Sequence, residues 1–315
     1  MQAVPTTPPP GVGAGAAAKP PAGRPLALPL AQKVASLHWM AWPAVAFVAL
    51  MVIFPFGYAA WLSLTDTKIG QPQVFLGIGN YRALAADPQF WNGLKLTFVL
   101  YLGALVIQLV LGVALGVLLS RVERFKGLVR TVMVSPFMLP PVVVGMMAIV
   151  VLDPGMGVAN YLLKSAGLPG SLFLASPDYV ILAVVLVDTW QWTPFVALIV
   201  LGGLQSLPAR VYEAAAIDGA RGWRTFWHIT LPLLGPTIVT AAVLRSVDLL
   251  RFFDIIYITT QGGPGYASST LNVYAYRKGF EFTDFGYASA LMITLSTIVF
   301  AAVLVFAQLR RKVAW

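Results

Sequence analysis

Five ionisable residues stand where ionisation is costly. Asp188 lies in an apolar run from 180 to 204, close to Trp190, Gln191 and Trp192. Arg245, Asp248, Arg251 and Asp254 lie in a second run, from 233 to 258. A charge inside a hydrocarbon layer is rare and by default marks a functional candidate. Arg245 and Asp248 are three residues apart, as are Arg251 and Asp254, so on a helix each pair can neutralise itself. Two uses follow: buried pairs that hold a helix bundle together, or polar groups that face a cavity and hydrogen-bond a polyhydroxylated ligand. In the second case Trp190, Trp192, Phe252 and Tyr257 would add flat apolar faces with polar edges. The candidate binding set is therefore Asp188, Trp190, Gln191, Trp192, Asp248, Arg251, Phe252, Asp254 and Tyr257. A rival use, in an ion-gradient-driven transporter, makes Asp188, Asp248 or Asp254 a proton relay.

Covalent, metal and nucleotide chemistry are poorly served. There is no cysteine, and His38 and His228 are far apart in the chain. No nucleophile–base pair stands out, and no G-x-x-x-x-G-K-[ST] phosphate loop is present. The run GVGAG near the start follows no strand and has the wrong spacing. The expectation is a chain with no bound cofactor, no metal and no catalytic residue.

The elements that would position these groups follow from composition. Of 315 residues, 58% are hydrophobic and 10% charged, with a mean hydropathy of +0.80. Soluble domains carry about 25% charged residues, so this chain cannot cover a core with polar surface. Its apolar runs reach the roughly 20 residues that a membrane helix needs. Six spans are expected: 42–64, 94–119, 128–152, 180–204, 233–258 and 287–309. The fold class is all-α and embedded in membrane lipid. Ahead of the spans, residues 1–38 are rich in Pro, Ala and Gly and lack the apolar core of a cleavable signal peptide, which predicts a disordered tail before a transmembrane domain at 39–315. In the third span, Pro136, Pro140 and Pro141 predict a bend, because proline removes a backbone donor.

The net charge of +9 resides in short loops rather than in a compact basic domain, which argues against nucleic acid as a partner. With the N-terminus inside, thirteen Lys and Arg face the cytoplasm (Lys19, Arg24, Lys33, Arg121, Arg124, Lys126, Arg130, Arg210, Arg221, Arg224, Arg310, Arg311, Lys312). Six face outward (Lys68, Arg82, Lys95, Lys164, Arg277, Lys278). That bias predicts both termini in the cytoplasm.

The loop from Ser206 to Pro236 is too interrupted to span and too apolar for a solvated linker. Ser206 and Pro208 suit a helix start. Arg210 and Glu213 can pair one turn apart, and Tyr212, Ala215 and Ala216 offer a close-packing face. Asp218-Gly219 breaks the helix, since glycine tolerates the left-handed conformation needed there. A second short piece carries Trp223, Phe226 and Trp227, and Leu231-Pro232 returns the chain to the membrane. The expectation is a helix–turn–helix knob on the cytoplasmic face.

Glu213-Ala214-Ala215, three residues, Gly219, nine residues and Ile229-x-Leu231-Pro232 resemble the EAA signature of binding-protein-dependent ABC importer permeases. The resemblance extends over nearly everything after the tail. Phe54-Pro55-x-x-Tyr58, Gly79-Asn80-Tyr81, Phe253-Asp254-x-x-Tyr257-x-x-Thr260, Gly262-Gly263-Pro264 and Thr270 look like the carbohydrate branch, the maltose- and trehalose-type permeases. The extra N-terminal spans and large external insertion of the maltose-type subunit are lacking, so maltose itself is not implied. The resemblance implies a type I importer permease fold that moves a sugar or polyol. Its partners would be a second, homologous permease, two ATPase subunits that carry ATP and Mg, and an external solute-binding protein. It also implies that loop 206–232 couples to the ATPase through Glu213, Ala214, Ala215, Asp218 and Gly219. Gly262, Gly263, Pro264, Tyr274 and Tyr276, in the external loop after span five, would meet the binding protein.

Overall fold

A computed structural model describes residues 28–220 and 222–313. Most of the stretch read as a tail lies outside these residues, and helix α1 (Leu28–Leu62) already begins within it. The chain divides at Pro55 into two units, of which the first is that helix up to the proline.

The second unit holds the remaining elements. After α1, a two-stranded antiparallel ribbon, β1 (Thr65–Asp66) with β2 (Val74–Phe75), leads to α2 (Gly79–Ala86). Helix α3 (Pro88–Ser120) starts where Asp87 accepts from the Gln89 amide at 2.8 Å and Pro88 fills the first turn. Next come α4 (Lys126–Val134), a 3₁₀ turn (Ser135–Met138), α5 (Pro141–Val151) and α6 (Val158–Ser165). Helix α7 (Val180–Ser206) is followed by α8 (Ala209–Ile217), α9 (Trp223–Thr225), a π turn (Phe226–Thr230) and α10 (Leu231–Leu233). Helices α11 (Gly235–Leu250), α12 (Asp254–Thr260), α13 (Leu271–Tyr276), a second π turn (Arg277–Glu281) and α14 (Phe285–Val313) complete the chain.

Four described helices are long and apolar enough to cross a membrane: Trp42–Leu62, Pro88–Ser120, Val180–Ser206 and Phe285–Phe306. Two bent pairs, Lys126–Met138 with Pro141–Val151 and Trp223–Leu233 with Gly235–Leu250, raise the number to six if each is one span. The packing requires such returns. Gly112 meets Val196 and Gly116 meets Val200, so α3 and α7 run parallel and the chain between them must come back. Gly203 meets Thr237, and Arg245 reaches Asp188, so α11 runs antiparallel to both. One end of the bundle thus carries α8–α10 and the exit of α3. The other carries β1–β2, α2, α13 and the start of α3.

Close approach of α3 and α7 depends on two glycines one turn apart. A Cβ on Gly112 would overlap Val196, and one on Gly116 would lie 2.8 Å from Val200 Cγ1. Small residues at this spacing let membrane helices pack backbone to backbone. Around this seam Leu100, Ala104, Val184, Leu249, Leu250 and Ile256 form a fully buried core.

The expected bend in the third span is present, at 93°. The Leu139 carbonyl beside the proline pair accepts from Gln191 Nε2 at 2.9 Å, as a dry interior requires. The fifth span ends earlier than expected, at Leu250 instead of 258. Residues Arg251–Phe253 leave the helix because other partners hold their backbone. Asn272 Nδ2 donates to the Arg251 carbonyl at 2.8 Å, and the Thr270 hydroxyl donates to the Phe252 carbonyl at 3.4 Å. Asp254 then opens α12, where a carboxylate suits the helix N-terminus. Arg251 and Asp254 therefore share no helix, and among the described residues they form no ion pair.

Candidate functional site

Three helices meet at a buried polar triad. Gln108 on α3 donates from Nε2 to Asp188 Oδ2 on α7 at 2.6 Å. Arg245 on α11 donates from Nη2 to the same oxygen at 2.8 Å, and from Nε to Gln108 Oε1 at 2.8 Å. All three side chains are essentially inaccessible. The strong pairing of Arg245 is therefore between helices. Its expected neighbour Asp248 sits farther off, at 3.8 Å. The Arg245 guanidinium also lies 4.3 Å from the centre of the Trp192 ring, and that ring packs against Phe137 and Phe195. Trp192 is a packed wall rather than a free stacking face.

Beside the triad opens a cavity of about 390 Å³. Trp192, Arg245, Asp248, Arg251, Phe252 and Asp254 line it, with Asn272 and Pro141 among the rest. Five members of the sequence-derived set thus converge on one space. The other four are elsewhere. Asp188 is behind Arg245, and Gln191 is spent on the Leu139 carbonyl. Trp190 lines a separate apolar cavity with Met147 and Phe173. Tyr257 stacks on Phe253 and meets Tyr276 edge-on, with centroids 5.1 and 4.7 Å away. The sequence set left out Arg245, Asn272 and Gln108. Gln108 carried a usable signal, being the one amide inside the apolar stretch 97–119.

The knob takes the helix–turn form its sequence implies, except that Ser206 closes α7, its hydroxyl donating to the Gly203 carbonyl at 2.7 Å, and does not start α8. Pro208 precedes α8, and Gly219 takes φ +75°, where the Gly219 and Ala220 amides bond back to the Ala216 and Ala215 carbonyls. Ala215 is buried, while Glu213, Ala214, Asp218 and Gly219 are exposed. Ile217 is 86% exposed, a bare apolar side chain at the tip. Tyr212 donates to Thr230 Oγ1 at 3.2 Å and ties α8 to the π turn. Arg210 and Glu213 form no ion pair among the described residues.

At the opposite end, Asp87 gathers three elements. Tyr274 of α13 and Tyr287 of α14 each donate to its Oδ2 at 2.5 Å. Burial would raise the Asp87 carboxyl, but the two hydroxyls, the Gln89 amide and nearby Lys278 outweigh it and hold the group below the ordinary range. Burial and the bond to Asp87 push the Tyr274 phenol well up. Tyr274, expected on a contact surface, is thus a buried anchor. Tyr276 is half-buried in its aromatic stack. In the same loop, Ser268 bonds the Gly263 carbonyl, Pro264 follows, and Gly262 packs on Ser269 and Val273.

A family profile described as the binding-protein-dependent transport system inner membrane component matches residues 108–314. This chain belongs to that family. The permease is 34% identical over 272 residues to the sulfoquinovosyl glycerol transport system permease protein SmoG of Agrobacterium fabrum, covering 85% of this chain and 88% of that one. It is 31% identical over 275 residues to the trehalose/maltose transport system permease protein MalF of Thermococcus litoralis, covering 87% and 93%. In fold it is similar to a chain of a bacterial ABC transporter that imports the acidic polysaccharide alginate, with a TM-score of 0.79, 23% identity and coverage of 90% and 98%. The permease is the membrane subunit of an ABC importer, a non-catalytic component with a type I importer fold.

Proposed function

We propose that this permease passes an uncharged sugar or polyol through the cavity between α7, α11 and α12. The observation that carries this reading is the charge balance of the lining. Arg245 is neutralised from behind by Asp188, which leaves Arg251 against Asp248 and Asp254. Two carboxylates and one guanidinium accept and donate to hydroxyls but disfavour a fixed anion. Trehalose and maltose, named for one relative, are uncharged and support the substrate class, whereas sulfoquinovosyl glycerol, named for another, carries a sulfonate and supports only a sugar. The solute would arrive from an external binding protein through the loop that holds Gly262, Gly263 and Pro264. A second, homologous permease would complete the path. Two ATPase subunits, carrying ATP and Mg, would grip the knob at Glu213, Ala214, Ala215, Asp218 and Gly219. The excess of Lys and Arg at the knob end supports a cytoplasmic position for that end and for both termini. The proton-relay alternative is weakened because Asp188 is committed to Arg245 and Gln108.

Uptake of labelled trehalose, glycerol and sn-glycerol 3-phosphate by cells that carry the complete system tests the reading. Asp248→Asn should lower uptake of the transported neutral solute about tenfold or more, the effect of losing a hydrogen bond to a charged group, while the amount of permease in the membrane stays constant. Uptake unchanged in this variant, or uptake of the phosphate alone, contradicts it.

A further inference from the structure

Along the outer side of α3 runs a groove of about 620 Å³ that the transport path does not use. One wall is a stripe of α3 that includes Val110, Ala114 and Leu118, and it ends at Arg121. The facing wall is the re-entry segment, with Trp223 and Trp227. Val110 is 64% exposed and Leu118 61% exposed, so the stripe lacks a partner among the described residues.

Three features identify what fits. From Leu109 to Arg121 the α3 wall extends about 18 Å at 1.5 Å per residue, close to the roughly 15 Å hydrocarbon depth of one leaflet. The lining is apolar along its length and carries one charge, at the end where α3 leaves the bundle. Arg121 is exposed and makes no ion pair among the described residues. Trp223 and Trp227 stand at that same end, where indoles favour the headgroup level of a bilayer. A hydrocarbon channel one leaflet deep, capped by a guanidinium and two indoles, complements an acyl chain whose headgroup is anionic. The re-entry wall includes the π turn at Phe226–Thr230, whose Phe226 and Trp227 line the groove.

We infer that this groove is a binding site for one anionic phospholipid, with an acyl chain along α3 and its phosphate at Arg121. Trp223 directly follows the knob's turn, so the seated lipid braces the segment through which the knob joins the membrane.

The test uses the complete complex in nanodiscs of phosphatidylcholine with a minor share of phosphatidylglycerol. Native mass spectrometry counts the lipids retained. The wild-type complex should hold phosphatidylglycerol in preference to phosphatidylcholine. Arg121→Gln should retain it about fivefold less, the effect of one basic residue at an anionic surface. Ala114→Phe fills the groove from an exposed position and should abolish retention of either lipid there. Equal retention of the two lipids by the wild type, or no loss in Arg121→Gln, overturns the proposal. A single cysteine at the groove, Val110→Cys in this cysteine-free chain, reports the competing occupant: an efficient cross-link to the second permease would show that a protein helix covers the groove and would also overturn it.

Discussion

At 1% exposure the Arg245 guanidinium depends on Asp188 and Gln108 for its solvation. Removing one member of a buried pair leaves the other charge uncompensated, at a cost of about 3–5 kcal/mol, whereas replacing both with apolar groups is often neutral. Arg245→Met should therefore lower the thermal midpoint of the solubilised protein sharply, and Asp188→Leu added to it should restore most of the loss. An additive further loss in the double variant would show that the pair is not the unit. Asp87 gives a residue-scale pH dependence. Its carboxyl is held below its ordinary value, so the contribution to stability is present above about pH 3.9 and disappears as pH falls through the lowered folded value. The midpoint difference between wild type and Asp87→Asn should be constant at neutral pH and shrink on acidification below that point. A difference that grows with acid contradicts the assignment. These residues were only partly legible in sequence. The charges at 188, 245 and 248 stood out against their apolar surroundings, but spacing pointed to the i,i+3 partner. The stronger pair joins residues 57 positions apart, which one-dimensional spacing cannot reveal. Asp87 carries no local signal of its role, because its two tyrosine partners lie 187 and 200 positions away.

Among the elements, the seam between α3 and α7 is the least forgiving. A Cβ on Gly116 would meet Val200 Cγ1 at 2.8 Å and the Ala197 carbonyl at 3.0 Å, while one on Gly202 meets nothing within 4 Å. Gly116→Leu should cost about 1–3 kcal/mol of stability through overpacking, and Gly202→Leu should cost little. Equal midpoints for the two variants would refute the tight seam. Element existence was readable wherever a rule of backbone chemistry applied. The prolines at 136, 140 and 141 announced the bend, and Asp218-Gly219 announced the turn that ends α8. The end of α11 was not readable, because residues 251–258 remain apolar enough to continue a helix. Asn272 and Thr270, from a later element, take the Arg251 and Phe252 carbonyls, and no signal local to 251–253 reports that capture.

For the whole molecule, transport requires the bundle to alternate between two packings, and a ligand or partner can bias such an equilibrium only through contacts that differ between the states. The parallel α3 and α7, stitched to antiparallel α11 by the triad, form a stiff unit, and the knob is its exposed handle at one end. Gly219 sits at φ +75°, a conformation that a β-branched residue resists, and Glu213 projects from the exposed face of α8. The most direct test is the ATPase rate of the reconstituted complex with and without its binding protein, for the wild type, Glu213→Ala and Gly219→Val. Stimulation by the binding protein should collapse in both variants while basal hydrolysis by the ATPase subunits continues. Full stimulation in both variants, with normal amounts of assembled complex, would contradict the claim that this knob couples hydrolysis to transport.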